Sequence, residues 1–99
     1  MSCGVRLAPA AADDLQRLIE FLAANDVNAA ERARFAIGEA LKFLSLFPFS
    51  CRKASAENPF LREMVIAVGR DGYVALFEVE AATVVTILAV RHEREDDYY

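Results

Sequence analysis

Apolar positions recur at helical spacing in the first half of the chain and run almost unbroken in the second. Leu15, Leu18, Ile19 and Leu22 stand at i, i+3, i+4 and i+7, which predicts an amphipathic helix over residues 10–24. Asp13 and Asp14 fall in its expected first turn, where negative charge suits the helix dipole. Asn25-Asp26 ends it. A second stripe, Ala33, Ile37, Leu41 and Leu44, is widened by Ala36, Ala40, Phe43 and Phe47 and predicts a helix over residues 29–46. Asn28 is its expected N-cap, with Glu31 completing a capping box. Gly38 inside it costs up to ~1 kcal/mol against alanine and is read as a mark of close approach to the first helix. Pro48 stops the helix near Leu46.

The second half is strand-forming. Val5–Ala8 is a short strand before Pro9, and Phe49–Pro59 reads as a loop. Leu61–Val68 is followed by Gly69-Arg70-Asp71-Gly72, where Asp-Gly signals a hairpin turn. Tyr73–Glu80 and Thr83–Val90 are separated by Ala81 and Ala82 alone, an antiparallel hairpin extending to Arg91. The order β-α-α-β-β-β gives an α+β fold. A helical hairpin packs on one face of a small antiparallel sheet, with strand 4–8 at an edge. By simple alternation Val85, Ile87 and Ala89 share one face, and Leu88 and Val90 the other. The hairpin is thus apolar on both faces, and two helices cover one. The expectation is a second chain over the other.

Composition changes this picture little. Ninety-nine residues make a single domain, 1–99, and 56% hydrophobic content is high for one. No run approaches the roughly 20 apolar residues of a membrane span, and the N-terminus lacks the apolar core of a signal peptide. The expected location is the cytoplasm, with Cys3 and Cys51 as free thiols. Two cysteines and one histidine make no metal signature, and no motif implies a cofactor. A net charge of −4 argues against direct binding of duplex DNA.

The succession Val5-Arg6-Leu7, Asp14-Leu15, Leu44 with Pro48, Leu61-Arg62-Glu63, Gly72-Tyr73-Val74 and Ile87-Leu88-Ala89-Val90-Arg91-His92 spans nearly the whole chain. In order and spacing it resembles the RelE/ParE toxin superfamily of bacterial type II toxin–antitoxin systems. The resemblance implies a plasmid-stabilisation type of toxin, silenced by a cognate antitoxin that wraps it as helix and strand. Leu76, Leu88, Val90 and Arg91 are the candidate antitoxin contacts. ParE-type members of the superfamily poison DNA gyrase. RelE-type members cleave messenger RNA in the ribosome.

A nuclease of that type needs a base, an acid and cations for the phosphorane. The candidates are Arg62 and Arg91 as phosphate cations, His92 as base or acid, and Tyr98. Two departures disfavour this chemistry. The loop before Leu61 holds one lysine, where ribosome-dependent members are lysine-rich. The segment after His92 also carries four acids against Arg94. The expectation is therefore a ParE-type toxin without catalytic residues. The nuclease is the alternative, and a non-toxic protein-binding module is a third reading.

Overall fold

The computed structural model describes residues 4–81 and 83–93. Strand β1 (Gly4–Leu7) leads into helices α1 (Pro9–Asn25) and α2 (Val27–Leu46). After the 3-10 turn Pro48–Ser50 come β2 (Arg52–Lys53), β3 (Leu61–Val68), β4 (Asp71–Ala81) and β5 (Val84–His92). The five strands form one sheet in the order β1-β5-β4-β3-β2. β1 runs parallel to β5 at one edge, and every other pair is antiparallel. The α+β class, the element order and the edge position of β1 agree with the sequence. The sheet is mixed rather than antiparallel, and β2 lies inside the expected loop.

Both helices form as patterned, with corrected ends. Pro9 opens α1, where its missing N–H costs nothing. Asp13 and Asp14 therefore stand in the second turn and not beside the helix terminus. One residue, Asp26, joins the helices. Its N–H bonds Leu22 O at 2.8 Å, and its carboxylate accepts the N–H of Asn28 at 2.9 Å. Asp26, not Asn28, is thus the N-cap of α2, since a carboxylate there satisfies an orphan donor of the first turn. Glu31 pairs with Arg34 instead of closing a capping box.

Small residues bring α2 close to its neighbours: Ala30, Ala33 and Ala40 are buried, and Leu44 is buried below them. Phe43 does not widen this stripe but is exposed, as is Phe47 at the helix end. Gly38 is exposed, and a Cβ there would meet nothing within 4 Å, so it marks no close approach to α1.

Between β3 and β4 the turn is Gly69-Arg70, with Gly69 at φ 59° and Val68 paired to Asp71. Asp71-Gly72 belongs to β4 and is not the turn. Glycine at the left-handed position decides the matter.

Two irregularities set the faces of the central hairpin. Leu76 pairs with Ala89 and Phe77 with Ile87, so Leu88 is an extra residue on β5. Val79 pairs with Val85 and Ala81 with Val84, so Glu80 is an extra residue on β4. A bulge reverses the parity of alternation. Val85, Ile87 and Val90 therefore join Ala75, Phe77, Val79, Ile66 and Val68 under the helices. Ala89 and Arg91 pair with Leu76 and Val74 on the far face. This corrects the simple alternation, which grouped Ala89 with Ile87 and Val90 with Leu88. Phe77, fully buried, centres the helix-side core.

Candidate functional site

Arg62 pairs across the sheet with Phe77, and its side chain turns toward the 3-10 segment. Its Nε donates to Pro59 O at 2.7 Å, and its Nη1 donates to Cys51 O at 2.8 Å and Phe49 O at 3.2 Å. The guanidinium carbon lies 5.1 Å from the centre of the Phe49 ring. The fork of donors is directed at backbone carbonyls of the segment between α2 and β3, and it holds that segment together. Burial pushes the Cys51 thiol pKa up, and the same guanidinium offsets this only in part, which leaves Cys51 a poor nucleophile.

Arg91 projects from the opposite face. Its Nη2 stands 3.9 Å from Glu63 Oε2, and Glu63 Oε1 receives Arg52 Nε at 3.2 Å. Arg52, Glu63 and Arg91, on β2, β3 and β5, thus form a charge ladder that crosses β4. Arg91 Nη1 also donates to His92 O at 3.2 Å.

His92 is at the far end of β5, paired with Tyr73. Its Nε2 lies 3.2 Å from Asp71 Oδ1, and its ring meets Tyr73 edge-on with centroids 5.1 Å apart. Tyr73 pairs with Ile66, four positions along β3 from Arg62. That separation is roughly 13 Å at strand rise. The structure therefore does not gather Arg62, Arg91 and His92 around one point. Tyr98 lies outside the described residues. No group of three His, Cys, Asp or Glu among the described residues is placed to hold a metal ion.

The candidate antitoxin contacts also separate. Leu76 and Arg91 share the far face, Leu88 sits at the bulge, and Val90 packs into the helix-side core. The far face is not an open apolar sheet. Val74 and Ala89 are buried at its centre, and Val65 is the large apolar side chain most exposed there. The Arg52–Glu63–Arg91 ladder borders it on one side. On the other, Arg6 donates to Thr86 Oγ1 at 3.0 Å and also pairs with Glu80.

The exposed apolar area lies instead on the helical side. Phe21, Val27 and Phe35 stand out from the helical hairpin, Phe35 at 71% exposure. A shallow groove lined by Leu15, Gln16, Ile19, Glu20 and Arg34 runs between the helices. At the end of α2, Phe43 and Phe47 are paired with centroids 5.6 Å apart, and Leu46 is exposed beside them. Beyond buried Pro48, Phe49 meets Phe60 edge-on at 6.1 Å. Of the seven phenylalanines, only Phe77 is buried. Sequence reasoning assigned Phe43 and Phe47 to the core and missed this surface. The signal was the density of aromatics around Pro48, more than a 3-10 turn can hide.

A helical hairpin laid on a mixed, five-stranded sheet defines a small α+β fold. A solved structure described as "Chromosomal ParDE TA system from P. aeruginosa" shares it with a TM-score of 0.68. That likeness covers 92% of this chain and 96% of the other at 21% identity. No curated protein sequence matches. Residues 5–97 match the family described as "ParE toxin of type II toxin-antitoxin system, parDE", and the chain belongs to that family. No helix among the described residues is long and apolar enough to cross a membrane.

Proposed function

We propose that this chain acts by protein–protein contact in the cytoplasm, with DNA gyrase as its target, and that a cognate antitoxin encoded beside it keeps it silent. The observation that carries this reading is the dispersal of the polar groups a nuclease would need. Arg62 holds three backbone carbonyls, Arg91 leans on Glu63 across the other face, and His92 bonds Asp71 at the far end of the sheet. A gyrase poison needs surface complementarity and no acid, base or phosphate cradle of its own. The family match and the large exposed apolar surface support a toxin that works through contact.

The test is induction in cells lacking the antitoxin, scoring growth, DNA breaks and transcript cleavage for the parent and for His92→Ala. A catalytic acid or base contributes about 10²–10⁴-fold in rate, so its loss would be plain. The expected result is that both forms arrest growth with DNA damage, and that purified chain inhibits gyrase supercoiling. Messenger cleavage in the ribosomal A site, abolished by His92→Ala and without DNA breaks, would overturn the proposal in favour of the RelE-type nuclease.

A further inference from the structure

Along α2, Val27, Glu31, Phe35, Gly38, Lys42 and Leu46 follow one another in steps of four, four, three, four and four residues. At about 3.6 residues per turn they stand on one ridge, opposite buried Ala33, Ala40 and Leu44. All six are exposed, Val27 at 66%, Phe35 at 71% and Leu46 at 55%. Phe35 forgoes the burial that a ring of its size would gain. Gly38 weakens the helix, yet no side chain, that of Phe35 included, comes within 4 Å of where its Cβ would stand. Both penalties fall on a single turn. The two features fit each other, because a missing Cβ bares helix backbone on which a flat ring can lie. Phe35 and Gly38 of one helix point outward side by side, so the ring that lies on Gly38 must come from another chain.

The order of the ridge identifies that chain. It is symmetric about the midpoint between Ala36 and Ile37. Phe35 and Gly38 are equidistant from this point, as are Glu31 and Lys42, and Val27 and Leu46. A second α2 laid antiparallel across it, on a two-fold axis, sets each Phe35 beside the other copy's Gly38. Each Glu31 then meets a Lys42, and Val27 meets Leu46 at both ends. Charge selects the direction, since a parallel pair would set Glu31 on Glu31 and Lys42 on Lys42. Within each chain Arg34 stands 3.9 Å from Glu31, and Glu39 stands 3.7 Å from Lys42. These two acids and two bases leave the ridge balanced in a chain of net charge −4, so two copies can approach. Of the other charged groups nearby, Arg32 is turned to Asp26, 3.8 Å away, and Glu20 lies across the groove from Arg34. The three apolar side chains, with the stems of Glu31 and Lys42, offer on the order of 500 Å² per copy. About 1,000 Å² in all is the lower end of a specific interface, which suits a reversible dimer with Kd on the order of 10–100 µM.

We propose that this ridge of α2 is a self-association surface, through which two copies of the chain pair as an antiparallel, two-fold helix dimer. Phe35 is the anchor and Gly38 its seat, while Glu31 and Lys42 fix register and direction. The inference stands on the ridge and is independent of the target of the chain.

The test is sedimentation equilibrium of the full chain, from about ten-fold below to ten-fold above that Kd. A reversible dimer is expected, and a monomer throughout overturns the proposal. Glu31→Lys and Lys42→Glu are changes at exposed positions, and each sets like charges together twice. Each should weaken the dimer at least about 10-fold at low salt, with the difference fading at high salt. Mixed with one another, the two variants place lysine against glutamate at both positions and should recover the parent's affinity as a heterodimer. Phe35→Ser should weaken the dimer about 100-fold, since one change removes two symmetric anchors. Gly38→Leu has room in the single chain but blocks the seat, and should also leave a monomer. Circular dichroism establishes that each variant is folded. A dimer that persists in folded Phe35→Ser and Gly38→Leu overturns the proposal in favour of another surface. A mixture of the two charge variants that associates no better than either alone overturns the antiparallel register. A monomeric parent whose binding to the antitoxin is lost in Phe35→Ser overturns it in favour of the antitoxin as occupant of the ridge.

Discussion

Arg62 shows how a residue that looks chemical can be structural. An arginine beside a strand start suits a phosphate cation as well as a loop clamp. The three carbonyls around it decide for the clamp. Removing it leaves those carbonyls without their donors and frees the segment from α2 to β3. Arg62→Ala should cost on the order of 2–3 kcal/mol, the scale of hydrogen bonds to a charged group. Arg62→Lys should recover little, because an ammonium cannot reproduce the planar fork. Urea unfolding of both variants measures this, and wild-type stability in Arg62→Ala would refute the clamp.

Asp14 was equally opaque in sequence. Its position suggested a helix-dipole partner, yet its buried carboxylate accepts the Val90 N–H at 2.9 Å and pairs with Arg17. That bond ties α1 to β5 across more than seventy residues of sequence, which local pattern does not encode.

At the scale of elements, propensity was informative wherever one face meets one core. Leu15, Ile19 and Leu22 announced α1, and Pro48 announced the end of α2. Register was not legible, since the extra residues Leu88 and Glu80 shift faces without leaving a glycine or proline to betray them. Gly38 offers a direct check on α2. Its position is solvent-facing with open space where a Cβ would stand. Gly38→Ala should therefore stabilise the chain by up to ~1 kcal/mol, read as a raised urea midpoint at unchanged slope. A loss of stability would show that glycine serves a packing role there after all.

The bulged Glu80 reaches Arg6 across β5, and this contact ties edge strand β1 to the centre of the sheet. Its carboxyl is held below the usual range, first by the Arg6 hydrogen bond and then by Thr86. A carboxylate with a lowered folded pKa contributes stability that is fully present above its unfolded pKa. That contribution is lost as pH falls through the folded value. The unfolding free energy should thus fall with acidification in that window, and Glu80→Gln should flatten the fall. The same profile in both proteins, followed by urea melts from neutral pH downward, would rule the contact out as a contributor.

For the whole molecule, the order of elements and the family resemblance were carried by residues spread along the chain, and the fold agrees with them. The location of the uncovered surface was not. Charged pairs border the far face, while the helical side presents Phe21, Phe35 and the rings around Pro48 to water. A chain of 99 residues that leaves six of its seven phenylalanines in contact with solvent forgoes burial it can ill spare. A partner that binds only the folded form returns that stability by mass action. At a free partner concentration 100 times Kd the gain is about 2.7 kcal/mol. For a domain of this size each kcal/mol raises Tm by about 4–8 °C, so saturation with antitoxin should raise it by roughly 10–20 °C. The shift should grow with the logarithm of antitoxin concentration above Kd, and calorimetric scans of the chain with increasing antitoxin measure it. A Tm that rises by the same amount in Phe43→Ser/Phe47→Ser, at matched concentrations, would place the stabilising contact away from the aromatic surface. An absent shift in the parent chain would mean that the exposed rings are not covered by that partner at all.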